Sequence, residues 1–312
     1  MSKNSVIITG ADGFIGSHLV KYFSENEIIV YAIIIKNSPL KNRIEGIDNV
    51  IILEEDLQNW GQLVSLLPKE SMAFFHLAWA GVSPDARKSI ETQLINIELC
   101  MNAVRLAHAV KTQKFILPGS TSEYTDCGHE INETSCPSPA NAYGAAKVAL
   151  RYLCELFCEE LMVPYIYVVI TGIYAADRVD NNVIYYAITS LLSGKKTQFT
   201  KLEQKWDYVH IDDVMLALFL IGKQGKAGQF YVVGHGDNWP LYNYIYQIRD
   251  IINPELPLGI GEIPYKNDKM PSSCVDLTNL YKDTGFIPKV TFSDGIKEVI
   301  DTIAKNLEKE AK

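Results

Sequence analysis

Seven residues, Gly10-Ala-Asp-Gly-Phe-Ile-Gly16, separate an apolar run from a segment with helical spacing, and they restrict the possible folds more than any other stretch. Upstream, Ser5-Val-Ile-Ile-Thr9 has the continuous apolar character of a strand covered on both faces. Downstream, Phe14-Ile-Gly-Ser-His-Leu-Val-Lys-Tyr-Phe23 repeats apolar residues at helical intervals. Glycines at such a junction allow a tight turn, close approach of backbone to a pyrophosphate, and tight packing of helix on strand. The helix N-terminus adds free N–H groups that face phosphates. A dinucleotide-binding turn is expected, with a plain turn as the alternative.

The following segments keep the same rhythm. Ile28–Ile35, Val50–Leu57 with a polar end, Ala73–Gly81 and Lys114–Leu117 read as the next four strands, and Tyr165–Tyr174 as the sixth, with helix-period segments between them. One helix is expected from about Glu91 to Lys111, with Leu94, Ile97, Met101, Val104 and Ala107 among its apolar residues. Alternation of this kind argues for an α/β fold, a doubly wound parallel sheet with helices on both faces. Pro240, Pro254, Pro257, Pro264 and Pro271 break the last third into short segments, as expected of a substrate-capping region. It is expected to interleave with the first part, because Val209–Ile221 and Phe230–Val233 look like elements that return to the main sheet. The division expected is 1–172 for the nucleotide-binding part and 173–312 for a smaller substrate-binding region, with about 209–234 returning. An amphipathic helix after Ser293 carries Ile296, Ile300, Ile303 and Leu307 on one face.

Composition narrows the partners. The 312 residues, 47% hydrophobic and 21% charged, fit an ordinary soluble globular protein with a sizeable core. Apolar runs such as Tyr165–Ile173 fall far short of the ~20 residues that span a bilayer. Met1-Ser-Lys-Asn leads directly into a strand without a signal-peptide pattern, so a cytoplasmic setting and no membrane partner are expected. A net charge of −8 without a Lys/Arg cluster offers no footprint for nucleic acid. The six cysteines, Cys100, Cys127, Cys136, Cys154, Cys158 and Cys274, form no Cys-x-x-Cys pair, and no metal site is expected.

The candidate chemistry lies in Asn141-Ala-Tyr-Gly-Ala-Ala-Lys147. A tyrosine and a lysine four residues apart share one face of a helix. An ammonium beside a phenol favours the phenolate, so Tyr143 would exchange a proton near neutral pH. The plain alternative is a half-buried tyrosine and a solvated lysine. At the end of the second strand, Ile34-Ile-Lys36-Asn37 lacks the acidic residue that binds the adenosine ribose in NAD-selective proteins. Lys36 there favours NADP, with NAD as second choice; its alternative is a solvated loop lysine.

Several motifs occur in order: Thr9-Gly10-x-x-Gly13-x-x-Gly16, Asp56-Leu57, His76-Leu77-Ala78, Ser120 four residues before Tyr124, Tyr143-x-x-x-Lys147, and Asp207-Tyr-Val-His-Ile-Asp212-Asp213. With them the chain resembles the extended short-chain dehydrogenase/reductases, the NAD-dependent epimerase/dehydratase family, in its nucleotide-sugar branch. The resemblance implies a Rossmann-type fold in which Gly10, Gly13 and Gly16, with Asp12, Phe14 and Ile15 between them, cradle the cofactor. It also implies that Asp56 and Leu57 line the adenine and that Leu77 and Ala78 lie along the middle of the dinucleotide. Tyr143 would be the general acid or base, Lys147 would bind the nicotinamide ribose and tune Tyr143, and Ser120 would hydrogen-bond the reacting oxygen. His76, His210, Asp212 and Asp213 are expected to fix loops against the sheet rather than to catalyse.

The departures from the family pattern matter as much. Dehydratases of this branch carry an Asp-Glu pair after the Ser/Thr; Thr121 and Ser122 stand there, beside the substrate, with Glu123 as the nearest carboxylate. Gly172 and Trp206 replace an Asn and an Arg common in relatives, so the substrate diphosphate would turn to Arg178, Lys266 or Lys269. Asn181 or Asn182 would touch the nucleotide or sugar. The resemblance implies an NADP-dependent oxidoreductase, a nucleotide-sugar 4-ketoreductase. The alternatives are an NAD-dependent 4-epimerase and a non-catalytic dinucleotide-binding or redox-sensing module. Helices around 94–110 and 142–161, apolar nearly all round, are expected to form a homodimer.

Overall fold

The computed structural model describes residues 4–83, 85–125, 129–178, 182–265 and 274–310. In chain order the first part comprises β1 (Ser5–Thr9), α1 (Phe14–Glu25), β2 (Ile29–Ile34), β3 (Val50–Glu54), α2 (Trp60–Leu63), β4 (Ala73–His76), α3 (Ile90–Ala109), β5 (Phe115–Ser120), α4 (Ala142–Glu160) and β6 (Tyr165–Ile170). Then come β7 (Gly172–Tyr174), α5 (Val183–Leu192), β8 (Thr197–Phe199), β9 (Lys205–Trp206), β10 (Tyr208–His210), α6 (Ile211–Gln224) and β11 (Phe230–Val233). The last elements are β12 (Trp239–Pro240), α7 (Leu241–Ile252), β13 (Leu258–Ile260), α8 (Thr278–Thr284) and α9 (Phe292–Glu310).

Seven strands form the main sheet in the order β3-β2-β1-β4-β5-β6-β11, every pair parallel. Successive strand residues point to opposite faces, and the two apolar layers sort accordingly. Ile8, Phe75, Ile116 and Val168 meet α1 and α6, whereas Ile7, Phe74, Phe115 and Val169 meet α3 and α4. The winding reverses between β1 and β4, which leaves a crevice at the carboxyl ends of these strands, the ordinary ligand position in such sheets. A third apolar layer, with Ile188, Tyr244, Phe292 and Ile300, joins α5, α7 and α9.

Four strands differ from expectation: the third stops at Glu54 and the fourth at His76, where the chain turns into connections, and the next two differ more. The fifth runs through Pro118 to Ser120. Its pairing with β4 ends at Phe75–Ile116, so a proline two residues further forfeits no bond to β4. The sixth stops at Ile170 and resumes as β7, because the chain changes partner at Thr171. β6 pairs with β5 and β11, whereas β7 pairs with β10 in a separate two-stranded ribbon. The return of the chain to the main sheet is thus made by α6 on its face and by β11 at its edge, while Val209 and His210 stay outside it.

Asp207 holds this change of partner together. Its fully buried carboxylate accepts from the Thr171 hydroxyl at 3.1 Å, from the His235 N–H at 2.9 Å and from the Gly236 N–H at 2.8 Å. The neighbouring polar residues have similar duties. His76 Nδ1 hydrogen-bonds Thr9 at 2.8 Å, His210 caps α6 through the Asp212 N–H, and Asp213 accepts from the N–H groups of Lys289 and Val290. Replacing Asp207 by alanine would strand three inward-facing donors. Asp207→Ala is expected to cost about 3 kcal/mol in urea unfolding, and Asp207→Asn, which keeps one acceptor oxygen, clearly less.

Candidate active site

The crevice is built from the glycine turn outward. Gly10 has a φ of +63°, and a Cβ there would stand 2.7 Å from the backbone of Ala78. A Cβ on Gly16 would fall 2.1 Å from the Gly10 carbonyl oxygen, so neither position accepts a side chain. Gly13 begins α1 without any side-chain cap, which leaves the first N–H groups of the helix, at Phe14, Ile15 and Gly16, for a ligand. The turn thus fits a pyrophosphate. Leu77 and Ala78 adjoin it, their N–H groups bonded to Thr9.

The adenosine end is more heavily charged than expected. Asp12 accepts from the Ser38 hydroxyl, while its carbonyl receives Arg43 Nη1 at 3.4 Å. Lys36 is not a solitary cation: its ammonium lies 2.9 Å from Glu55, whose carboxyl falls to about 2 through that contact and hydrogen bonds from Asn59 and the Asp56 N–H. Asp56 uses one carboxylate oxygen to cap the turn at Gln58, and Leu57 is buried. Arg43, absent from the sequence reading, is thus a cation bonded to the glycine turn itself.

At the other end, Asn141 caps α4 through the Gly144 N–H at 2.9 Å. Gly144 sits against the turn that follows β5; a Cβ there would meet the Ser122 carbonyl oxygen at 2.3 Å. This close approach puts the Ser120 side chain within hydrogen-bonding reach of Tyr143. Lys147, one turn on, is buried and gives its ammonium to the Pro118 carbonyl at 2.8 Å, with the Trp79 ring centroid 3.7 Å away. Burial pushes that ammonium down to about 8, against the opposing influence of Glu123.

The expectation that Lys147 by itself makes Tyr143 acidic requires correction. Its ammonium is 5.9 Å from the Tyr143 ring centroid, and burial raises the phenol above its ordinary value. The Ser120 hydroxyl, Arg87 and Arg178 pull it back down. Arg87 Cζ lies 4.9 Å from the Tyr143 ring centroid, and Trp79 meets the same ring edge-on at 5.5 Å. Trp79 and Arg87 belong to the β4–α3 connection, which the buried Gln93 and Asn96 hold. Gln93 bonds Trp79 Nε1 and the Ala86 carbonyl, each at 3.0 Å, and Asn96 takes both backbone groups of Ala80.

Glu123 is turned inward, but under the strand rather than into the crevice. Its Oε1 accepts from the Ser120 N–H at 2.6 Å and the Tyr167 hydroxyl at 2.8 Å, while Oε2 has no partner. It closes a capping box with Ser120 and so orients that serine. Thr121 and Ser122 lie in the same short turn. Asn182 caps α5 and lines a cleft of about 600 Å³ with Tyr185, Tyr186, Gln198, Phe199 and Ile263. Arg178 is placed over the Phe14 ring, at 4.8 Å, bonds the Ile173 carbonyl, and lines a second, small pocket with Asn182 and Tyr185. Lys266, Lys269 and Asn181 lie outside the described residues.

A glycine turn beside a Ser–Tyr–Lys set is the arrangement of the extended short-chain dehydrogenase/reductase class. The profile of the NAD dependent epimerase/dehydratase family matches residues 6–234, and the chain belongs to that family. A dTDP-D-glucose 4,6-dehydratase of Bos taurus is 22% identical, over 96% of this chain and 89% of its own length. Two solved structures share the fold. UDP-glucose 4-epimerase of Thermotoga maritima has a TM-score of 0.82 at 22% identity, covering 97% of this chain and 99% of its own. UDP-glucuronic acid 4-epimerase of Bacillus cereus, solved with NAD, has a TM-score of 0.80 at 20% identity, covering 97% and 99%.

Burial raises the Glu123 carboxyl from its ordinary value near 4.5 to about 7. Between those values the folded chain holds a proton that the unfolded chain releases, so this group's stabilising contribution is present at low pH and fades as pH rises to about 7. Glu123→Gln keeps the acceptor for Ser120. It is expected to flatten that decline in melting temperature, measured from pH 5 to pH 8 in parallel with the parent.

Proposed function

We propose that the chain transfers hydride at C4 of a nucleotide-activated sugar, with Tyr143 as proton carrier. The observation that carries this reading is the packing of the turn that holds Ser120 against the first turn of the helix that holds Tyr143, fixed by Gly144. A bound nicotinamide dinucleotide would supply or accept the hydride. Tyr143 would give its proton to the C4 oxygen, or take it, and Ser120 would orient that oxygen with a hydrogen bond. Lys147 would bind the nicotinamide ribose. The cleft at Asn182 is well placed for the nucleotide.

Elimination of water is disfavoured, since Thr121 and Ser122 carry neither carboxylate nor base and Glu123 is committed to its cap. NADP-dependent reduction of a 4-keto sugar is the first reading, supported by the missing acid after β2 and by Arg43 beside the glycine turn. NAD-dependent 4-epimerisation is the second, supported by relatives named as 4-epimerases. Tyr143→Phe should lower kcat about 10²- to 10⁴-fold at unchanged fold, the range for a lost general acid or base. Cofactor released from the purified protein separates the readings: NAD that is retained and not consumed in turnover would sink the reductase.

We further propose that the protein is a homodimer through α3 and α4. Their shared contact buries Cys100 against Cys154, with sulfurs 3.3 Å apart, while Leu94 and Leu156 on the outer faces are 58% and 64% exposed. Ile90, Ile95, Tyr152 and Leu153 widen this apolar surface. Leu156→Glu should shift the sedimentation mass from dimer to monomer; a parent protein that is monomeric at every concentration would refute the assignment.

A further inference from the structure

The hydride-transfer reading gives Arg87 no contact with the substrate, yet it stands closer to the Tyr143 ring centroid, at 4.9 Å, than Lys147 does, at 5.9 Å. Its guanidinium carbon lies 4.9 Å from the Tyr143 ring centroid. Its Nε is buried with no acceptor among the described residues. No described carboxylate pairs with Arg87. A buried guanidinium donor is costly to leave unpaired unless a ligand brings the acceptor.

The backbone that carries it is also anchored before anything binds. The Arg87 N–H is bonded to the Ser83 carbonyl at 3.0 Å, and the Ala86 carbonyl before it is tied to Gln93 at 3.0 Å. Arg87, Arg178 and Lys147 all act on the surroundings of Tyr143, and the buried Glu123 beside them is pushed toward its neutral form by burial. Arg178, by contrast, leans on Phe14 at the glycine turn.

We propose that Arg87 is a specificity residue that binds a carboxylate carried by the sugar on the carbon next to the reacting one, so that the preferred ligand is a nucleotide-linked hexuronate. This rests on the C4 reading above. With the C4 oxygen at the Tyr143 hydroxyl, the groups nearest Arg87 belong to the adjacent ring carbons. The diphosphate hangs from the opposite end of the sugar, toward the cleft at Asn182. A guanidinium edge matches a carboxylate with two parallel hydrogen bonds, which a hydroxymethyl group cannot return.

The test is binding rather than turnover. Holoprotein would be titrated calorimetrically with hexose and hexuronate sugar nucleotides matched on uridine, thymidine, guanosine and cytidine diphosphate, and with each nucleoside diphosphate alone. The hexuronate of the best-bound nucleotide is expected to bind about 10- to 100-fold tighter than its hexose. Arg87→Gln should erase that difference while leaving the affinity for the hexose and the bare nucleoside diphosphate unchanged, and Arg87→Lys should restore part of it. Equal loss for hexose, hexuronate and nucleoside diphosphate would assign Arg87 to the diphosphate and overturn the proposal. So would a parent protein without preference for the acid, or without affinity for any pair. Because no turnover is needed, failure of C4 chemistry would show separately, as preserved preference without reaction.

Discussion

A single ammonium at the end of a parallel sheet sets the terms for much of this molecule. Lys147 is buried, and burying a cation is expensive unless its donors are met. The Pro118 carbonyl meets one, the Trp79 ring covers the charge, and Glu123 lies close enough to oppose its loss. Each provision reaches into a different element. Pro118 can offer its carbonyl because β4 has already ended its pairing with β5, and Trp79 is over the charge because Gln93 and Asn96 of α3 grip the loop that carries it. Satisfying one charge therefore positions β5, α3, α4 and the β4–α3 connection together.

The same economy explains what was legible beforehand. Gly10, Gly13 and Gly16 could be read because a backbone without side chains is the physical requirement, and Tyr143 and Lys147 because helical geometry fixes their separation. The parallel sheet followed from alternation of strand and helix patterns. Arg87, Arg43 and Trp79 were not legible as site residues. They sit in connections without periodicity, and their function depends on which walls those connections face. The acidity of Tyr143 was misjudged for a related reason: spacing places Lys147 on the right helix face but does not reveal that Pro118 and Trp79 draw its ammonium aside. The change of partner at Thr171 was equally hidden, since an unbroken apolar run records burial and not the identity of the neighbouring strand.

Some departures from the family pattern become one arrangement in the structure. Trp206 and Gly172 are adjacent: a Cβ on Gly172 would come within 2.9 Å of Trp206 Nε1. The small residue leaves the room that the large one occupies, and a side chain at Gly172 would have to displace Trp206. Thr121 and Ser122 show the same interdependence, because the turn that holds them is closed by Glu123 and pressed against Gly144.

That contact at Gly144 bears on how such a site can diversify. Where a helix rests on a carbonyl with no room for even a methyl group, its rotation and height are set by main chain alone. The distance between serine and tyrosine is then inherited with the backbone, insensitive to most changes around it. Novelty has to enter from the rim, through long side chains on connections that the helix does not touch. One lineage could therefore keep a single reaction centre for a very long time while exchanging the sugars brought to it.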